Sequence, residues 1–587
     1  MSIISGYERF VKTRIQCSKS REEDAVNQKA ENLLNLALSA TTEERRKSRI
    51  LDVGYSSETR RWDLIVKYSG DIARYETEAI RIVRLSNEYA IINVLEDQID
   101  MVIGWPQIEY VEKPKRLYFE TRQGKQASCV DLLQTPAWNL TGKGVLVGVI
   151  DSGIDYTHPD FRKPDGTTRI VYLWDQSARG TPPDRFRSGS EWTGEMLDRS
   201  LETGEVLSVD PSGHGTAVAS IAAGSQGIAF DSGLIVVKLA RPEPDSFPRT
   251  TELMEAVDYV ISKARELGMP VAVNLSFGNT YGSHDGTSLI ETYLNDMANY
   301  WKTSIVAGTG NEGMAAGHTA ETLRQGTEKH IPFLVQEYEP SLNIQLWKYY
   351  TDAIGVAIEA PNGQVAGPFD EILGPQRFVL GRTEVLVYYG EPSPYSRAQE
   401  IFVDLIPRDT FIDTGQWVFR LLPRRIVEGR VDLWMPVGSA RNPSTRFVYA
   451  TPETTLTIPS TASKVISVGA YDPVNRTFAD FSGRGYTRMN VQVKPDLVAP
   501  GVGITAASPG GGRTVVSGTS FAAPFVTGSA ALLMEYGIVN GNDPYLYGEK
   551  IKAYLIRGAK ALPFASEYPN PMTGYGALCL KDSLPVE

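Results

Sequence analysis

The chain has 587 residues, 42% hydrophobic and 22% charged, with a net charge of -11. That length allows about three or four domains, and the acidic balance excludes a general nucleic-acid binder. The three cysteines, Cys17, Cys129 and Cys579, are odd in number and far apart, which argues against a structural zinc site or a disulfide framework and for thiols of a reducing compartment.

The N-terminus lacks the apolar core of a signal peptide, and no run reaches the ~20 apolar residues of a membrane span. Cytoplasmic synthesis without a membrane or nucleic-acid partner is therefore expected. Residues 1–57 read as a helical extension, with Ala25, Ala30, Leu33, Leu34, Leu36 and Leu38 at helical intervals among charges. Residues 58–119 change character. "WDLIVKYSG", "EAIRIVRLS", "YAIINV" and "IEYVEKP" read as strands, and helices are expected at 71–77 and over "LEDQIDMVIG", a β-α-β-β-α-β order.

Residues 120–322 alternate strand and helix. "GVLVGVID", "GLIVVKLA", "PVAVNLSFG" and "TSIVAGTG" are nearly continuous apolar runs, as in a parallel sheet buried on both faces. The expected class is α/β, a doubly wound, mostly parallel sheet. Over 323–453 helical patterns vanish and short strands follow one another, from "NIQLWKYY" to "RVDLWMPVG". This predicts an inserted β-sandwich, with Trp347, Trp417 and Trp434 in its core. The α/β pattern resumes over 454–587.

Three motifs can carry chemistry together. "GVLVGVIDSGIDYTHPDF" ends a buried strand on Asp151, where catalytic groups of open α/β sheets gather. Asp155 and His158 in the same motif are read as structural. Of five histidines (His158, His214, His284, His318 and His330), His214 lies between two glycines at the start of a small-residue helix, in "DPSGHGTAVASIAAG". "VVSGTSFAAPFVTG" places Ser520 at another helix start, with Pro524 read as falling in the first turn. Taken alone, Ser520 could equally be a helix cap. A nucleophilic hydroxyl needs a base and an orienting carboxylate, and Asn311 in "SIVAGTGNEG" offers an amide to a developing oxyanion.

With these flanks and in this order, "VIDSGID", "GHGTAVASIAAG", "AGTGNEG" and "SGTSFAAPFVTG" resemble the four motifs of the subtilisin-like serine proteases, the subtilases. The resemblance covers residues 120–320 and 455–580. It implies that Asp151 orients, His214 is base and then acid, Ser520 is the nucleophile and Asn311 completes the oxyanion hole. It implies that Leu275, Ser276, Phe277 and Gly278 pair with an extended peptide, and that Gly308, Thr309 and Gly310 form the opposite wall of the first pocket. Residues 58–119 resemble an inhibitory prosegment, with self-cleavage expected within Phe119, Glu120, Thr121, Arg122 and Gln123. Two departures stand out. The link from Gly224 to Leu234 is short, so the calcium site of some relatives is expected to be missing, with no other metal or cofactor. Asn311 and Ser520 are also separated by the β block, as in the clostridial Csp germination proteases. These have a jelly-roll insertion, retain the cleaved prosegment and activate a cortex-lytic pro-enzyme in spores. The resemblance thus implies a protein or peptide substrate, a retained prosegment as partner and association with spores. The competing readings are a pseudoprotease, against which the complete triad argues, and a binding scaffold acting through the β insertion.

Overall fold

A computed structural model describes residues 28–48, 50–115, 118–119, 126–241, 247–488 and 492–585. The expected parallel sheet is present. Strands Ile170–Asp175, Gly233–Lys238, Leu146–Asp151, Val271–Leu275, Thr303–Gly308, Ile466–Asp472 and Leu497–Pro500 pair in that order, all parallel. Short antiparallel strands, Ser190–Thr193 and Thr477–Phe478, flank it.

Strand alternation explains why these runs are apolar throughout. Val147, Val149, Val236 and Val306 face the helices His214–Ala223 and Thr519–Met534. Leu146, Ile150, Ile235 and Val273 face the helices Thr250–Glu266 and Leu289–Ala298. The Thr250–Glu266 helix lies so close that a Cβ on Gly148 would sit 2.5 Å from Val260. The segment Thr519–Val539 is long and apolar enough to cross a membrane by length and composition, yet every residue of its first sixteen is buried, its apolar side chains among those of the parallel sheet. It is the central core helix.

The N-terminal unit forms a five-stranded antiparallel sheet, with Arg61–Tyr68 between Tyr89–Leu95 and Ile108–Glu112. The helix expected at 71–77 is a single 3-10 turn, Ala73–Tyr75, and the second is five residues long, Ile99–Ile103. The alternation of its strands serves two partners. Ile65, Val83, Tyr89 and Ile91 pack on the helices of the large domain. Trp62, Leu64, Val66 and Ile92 pack on Leu33, Leu34 and Leu36 of the Asn32–Ser39 helix and on Leu386, Tyr388 and Phe402. The helical segment after residue 27 therefore shares one core with the sheet instead of forming a separate extension. Residues 1–27 lie outside the described part.

Residues 318–447 build two antiparallel sheets. One runs His318–Thr322, Arg430–Trp434, Leu342–Tyr349, Ala398–Pro407, Thr383–Tyr389, Pro375–Leu380; the other runs Val365–Ala366, Ala353–Glu359, Gly415–Arg425, Lys329–Val335, Arg446–Phe447. Ile344, Val356, Val387, Val403, Trp417 and Phe419 meet between them. Only Trp417 of the three tryptophans lies in that core. Trp434 is stacked against the rings of His284 and His318, at 4.2 and 4.5 Å, where the two sheets join the large domain. Trp347 is half-buried and lines a small cavity facing Glu31 and Asn32.

The reading of the cysteines as scattered thiols is corrected. Cys129 and Cys579 form a disulfide, with Cα atoms 4.8 Å apart across a separation of 450 residues. Counting and local spacing miss such a pair because it is made by the fold alone.

Candidate active site

Asp151 is the last residue of its strand and is fully buried. One carboxylate oxygen accepts the Ser152 N–H at 2.7 Å and meets His214 Nδ1 at 2.7 Å. That bond directs Nε2, the other ring nitrogen, away from the carboxylate.

His214 is held from below by a residue that sequence reading missed. Asp210 accepts the N–H of Gly213 and, on its other oxygen, the N–H and hydroxyl of Thr216. It therefore satisfies donors at the open N-terminus of the His214 helix. It also accepts the Ser152 hydroxyl, which joins the histidine helix to the aspartate turn. An acid a few residues ahead of "GHGT" was the available signal. The flanking glycines have separate reasons. Gly213 takes φ of 72° as the helix begins, a conformation that favours glycine. A Cβ on Gly215 would lie 2.1 Å from the Gly153 carbonyl and 3.0 Å from Asp151 Cβ. Histidine and aspartate can meet only because that Cβ is missing.

Ser520 is the second residue of its helix and 3% exposed. Its hydroxyl donates to the Ser276 carbonyl at 3.0 Å, and the next side chain, Phe521, has its ring 5.1 Å from that of His214. Pro524 does not fall in the first turn as expected. It is the sixth residue of a helix that starts at Thr519, so its missing N–H does remove a helical bond.

Asn311 is fixed by the residue before the serine. Its Oδ1 accepts the Thr519 N–H at 3.1 Å. Since only an oxygen can accept that proton, the amide orientation is determined, and both Nδ2–H donors point elsewhere. Gly310 donates to Thr519 Oγ1 at 3.0 Å, and Gly308 lies so close that a Cβ there would be 3.0 Å from the Thr519 carbonyl. Thr309 is fully buried and its backbone bonds Val468 and Thr457. Leu275 belongs to the central sheet, paired with Ile150 and Ala307, and its side chain is core. Past it, Phe277–Gly278 form a short strand on which Tyr118–Phe119 lie antiparallel. Of the expected cleavage segment only the backbone of Phe119 is described; Glu120, Thr121, Arg122 and Gln123 lie outside the described residues.

Asp155 and His158 tie their loop to the hairpin Ile504–Val516, through Gly510 N–H on Asp155 at 2.9 Å and His158 Nε2 at 3.0 Å from the Gly512 carbonyl. The remaining histidines lie elsewhere. His318 faces Asp432, His330 faces Glu328, and His284 meets the carbonyls of Leu456 and Thr280.

Among known families, residues 28–115 match the Csp protease B prodomain, and residues 142–364 and 436–576 match the subtilase family. The CspB protease of Clostridium perfringens, a solved structure, superposes with a TM-score of 0.73 at 35% identity, over 78% of this chain and 95% of that one. The minor extracellular protease Vpr of Bacillus subtilis is 24% identical over 77% of this chain and 53% of Vpr. The serine protease AprX of the same organism is 34% identical over 22% of this chain and 32% of AprX. The chain thus spans about half, or less, of the length of these curated relatives. The two matched stretches of the large domain cover well over half of the sequence and hold Asp151, His214, Asn311 and Ser520. With its N-terminal prodomain match, the chain belongs to the subtilase family of serine proteases and resembles its Csp members.

Proposed function

We propose that this chain is a serine endopeptidase that cuts the segment after its own prosegment and then acts on a protein substrate. The observation that carries the reading is the 2.7 Å contact between Asp151 and His214 Nδ1 at the carboxyl end of a buried strand, beside a helix start that presents Ser520. In the reaction, the Ser520 hydroxyl leaves the Ser276 carbonyl and attacks the peptide carbonyl while His214 takes its proton. Asp151 stabilises the imidazolium, and His214 then protonates the leaving amine. The Asn311 Nδ2–H and the Ser520 N–H hold the oxyanion.

Antiparallel pairing of Tyr118–Phe119 with Phe277–Gly278 supports substrate binding as an added strand, with the prosegment's own tail as first substrate. Retention of the cleaved prosegment is supported by the two faces its sheet buries, one on the large domain and one on the β insertion. Likeness to the CspB protease of Clostridium perfringens supports a germination role in spores, in which the substrate is a cortex-lytic pro-enzyme and the insertion is a jelly roll.

The test is intact mass. The wild-type chain should give two fragments split within residues 119–123, and Ser520→Ala should stay whole. Cleavage of that variant at the same place would assign processing to another protease. A whole wild-type chain that fails to cleave any peptide would instead favour a pseudoprotease or a binding scaffold.

A further inference from the structure

Pro524 sits four residues after Ser520 within the helix. It therefore removes the N–H that would bond the Ser520 carbonyl, and its ring presses on that carbonyl. The carbonyl nevertheless has a donor, the Ser276 hydroxyl at 2.7 Å. A carbonyl cannot donate, so the proton must come from Ser276. Ser276 Oγ then accepts from Asn274 Nδ2 at 2.7 Å, and Asn274 Oδ1 accepts from the Thr527 hydroxyl at 2.9 Å. The order of donors is therefore fixed from Asn274 through Ser276 to Ser520, while the Thr527 hydroxyl shares its one proton between Asn274 Oδ1 and the Ala523 carbonyl at 3.1 Å. In the opposite sense, the Ser520 hydroxyl donates to the Ser276 carbonyl. Asn274, Ser276, Ser520 and Thr527 are each 3% exposed or less, so no solvent competes for these bonds.

We infer that Ser276 is a positioning residue for the nucleophile: its hydroxyl takes the place of the helical donor that Pro524 deletes and fixes the backbone on which Ser520 turns. This rests on the reading of Ser520 as nucleophile. During attack the Ser520 hydroxyl must leave the Ser276 carbonyl for His214, while the Ser276 hydroxyl stays on the Ser520 carbonyl. One of the two reciprocal bonds thus persists and holds the serine backbone while the other breaks. A misplaced attacking group is costly even for small displacements.

The test is the first-order rate of self-cleavage of the full chain in a time course of cell-free synthesis, with folding followed by tryptophan fluorescence. Ser276→Ala should slow cleavage about tenfold, the effect of one lost buried hydrogen bond. In Ser276→Ala/Pro524→Ala the new backbone N–H can reach the Ser520 carbonyl, so most of the rate should return, and the four-member cycle should show coupling. A purely structural role for Ser276 predicts additive losses. If Ser276→Ala does not fold, Thr527→Val, which keeps the side-chain shape, should slow cleavage about threefold. A Ser276→Ala rate within twofold of wild type, a double variant no faster than Ser276→Ala, or an unchanged Thr527→Val rate would overturn the inference alone. Absence of cleavage in wild type, or cleavage in Ser520→Ala, would instead overturn the protease reading.

Discussion

Two buried polar regions of this molecule are built in opposite ways. The active site is densely wired: most polar atoms around Asp151, His214, Asp210 and Ser276 have a named partner at hydrogen-bond distance, although the second oxygen of Asp151 has none. The seam between the N-terminal unit, the large domain and the β insertion instead holds an excess of acid. Glu31, Glu112, Glu391 and Glu400 line one small cavity of about 60 Å³, with Lys115 as the only cation among the described residues lining it. Lys115 pairs with Glu31 at 2.7 Å and Glu112 at 2.6 Å. Nearby, Ser48 donates to the buried Asp404. Burial, aided by Glu31, pushes the Glu400 carboxyl up to about 8, and burial pushes Asp404 up to about 7. The difference separates two purposes. A site that performs chemistry needs each donor fixed in advance, whereas a seam that leaves buried carboxyls without full counter-charge has a strength that depends on their protons.

The largest effect should come from breaking the wired region at its reacting atom. Ser520→Ala should abolish self-cleavage and peptide hydrolysis while leaving the melting temperature close to wild type, since only one hydroxyl is lost from a helix that is otherwise all core. Intact mass and a thermal melt of the same sample check both halves. Residual cleavage at the same position would remove the nucleophile assignment.

Asn311→Ala should come next. Its amide is oriented by Thr519, so the loss removes one oxyanion donor and should lower kcat by about 10²–10³ with little change in KM. Steady-state kinetics on a peptide spanning residues 114–128 would show this. A loss spread into KM would mean that Asn311 acts in binding rather than on the transition state.

The same contrast explains what the sequence disclosed. The active site was legible because its parts sit at strand ends and helix starts, each announced by a short motif. Asp151, His214, Asn311 and Ser520 needed no long-range pairing to be singled out. The parallel sheet was legible because its strands are apolar without alternation. Pro524 was misplaced because helix starts are uncertain by a residue or two from sequence, and one turn decides whether a proline costs a bond. Asp210 was missed because a capping acid looks like any loop aspartate until the helix it caps is placed. The seam was not legible at all. Glu31 and Glu112 lie 81 residues apart in the N-terminal unit and Glu400 lies in the β insertion, while Cys129 and Cys579 are 450 residues apart, and no local pattern marks any of them.

A third prediction acts on the seam. Glu400 has a folded pKa of about 8 against an ordinary value near 4.5, so the folded state binds the extra proton. Stability contributed by this carboxyl is fully present below pH ~4.5 and is lost as pH rises through about 8; Asp404 acts in the same direction, with its loss complete near 7. After processing, the prosegment should therefore dissociate faster at pH 9 than at pH 6, read by size exclusion followed by mass. Glu400→Gln, which keeps the neutral shape, should slow the release at pH 9 several-fold and have a smaller effect at pH 6, where only part of the stabilisation has been lost. Equal release at the two pH values in wild type would show that the carboxyls are not strained by the seam.

The smallest expected effect concerns calcium. Between the end of the His214 helix at Ala223 and the strand that starts at Gly233, the chain has no room for a loop that could surround an ion. The carboxylate beside this link, Asp160, already faces a cation: Arg513 Nη2 at 2.7 Å, with the Ser225 hydroxyl at 2.6 Å on the same oxygen. Its other oxygen has no partner, but one oxygen falls far short of the 6–8 that calcium takes. Among the described residues no group of three or more acidic, histidine or cysteine side chains is placed to hold a metal. A ligand bound only by the folded state stabilises it by about 2.7 kcal/mol at a hundredfold excess over Kd, which would move the melting temperature of a chain of 587 residues unfolding as one by about 2 °C. Ser520→Ala protein melted in millimolar calcium and in chelator should differ by less than about 0.5 °C, below that bound shift. A shift of about 2 °C or more would place an ion elsewhere in the fold. Repeating the melt with Arg513→Ala would then tell whether Asp160, freed of its guanidinium, had become part of the site: if so, the calcium-dependent shift grows in that variant, and if the ion lies elsewhere it stays the same.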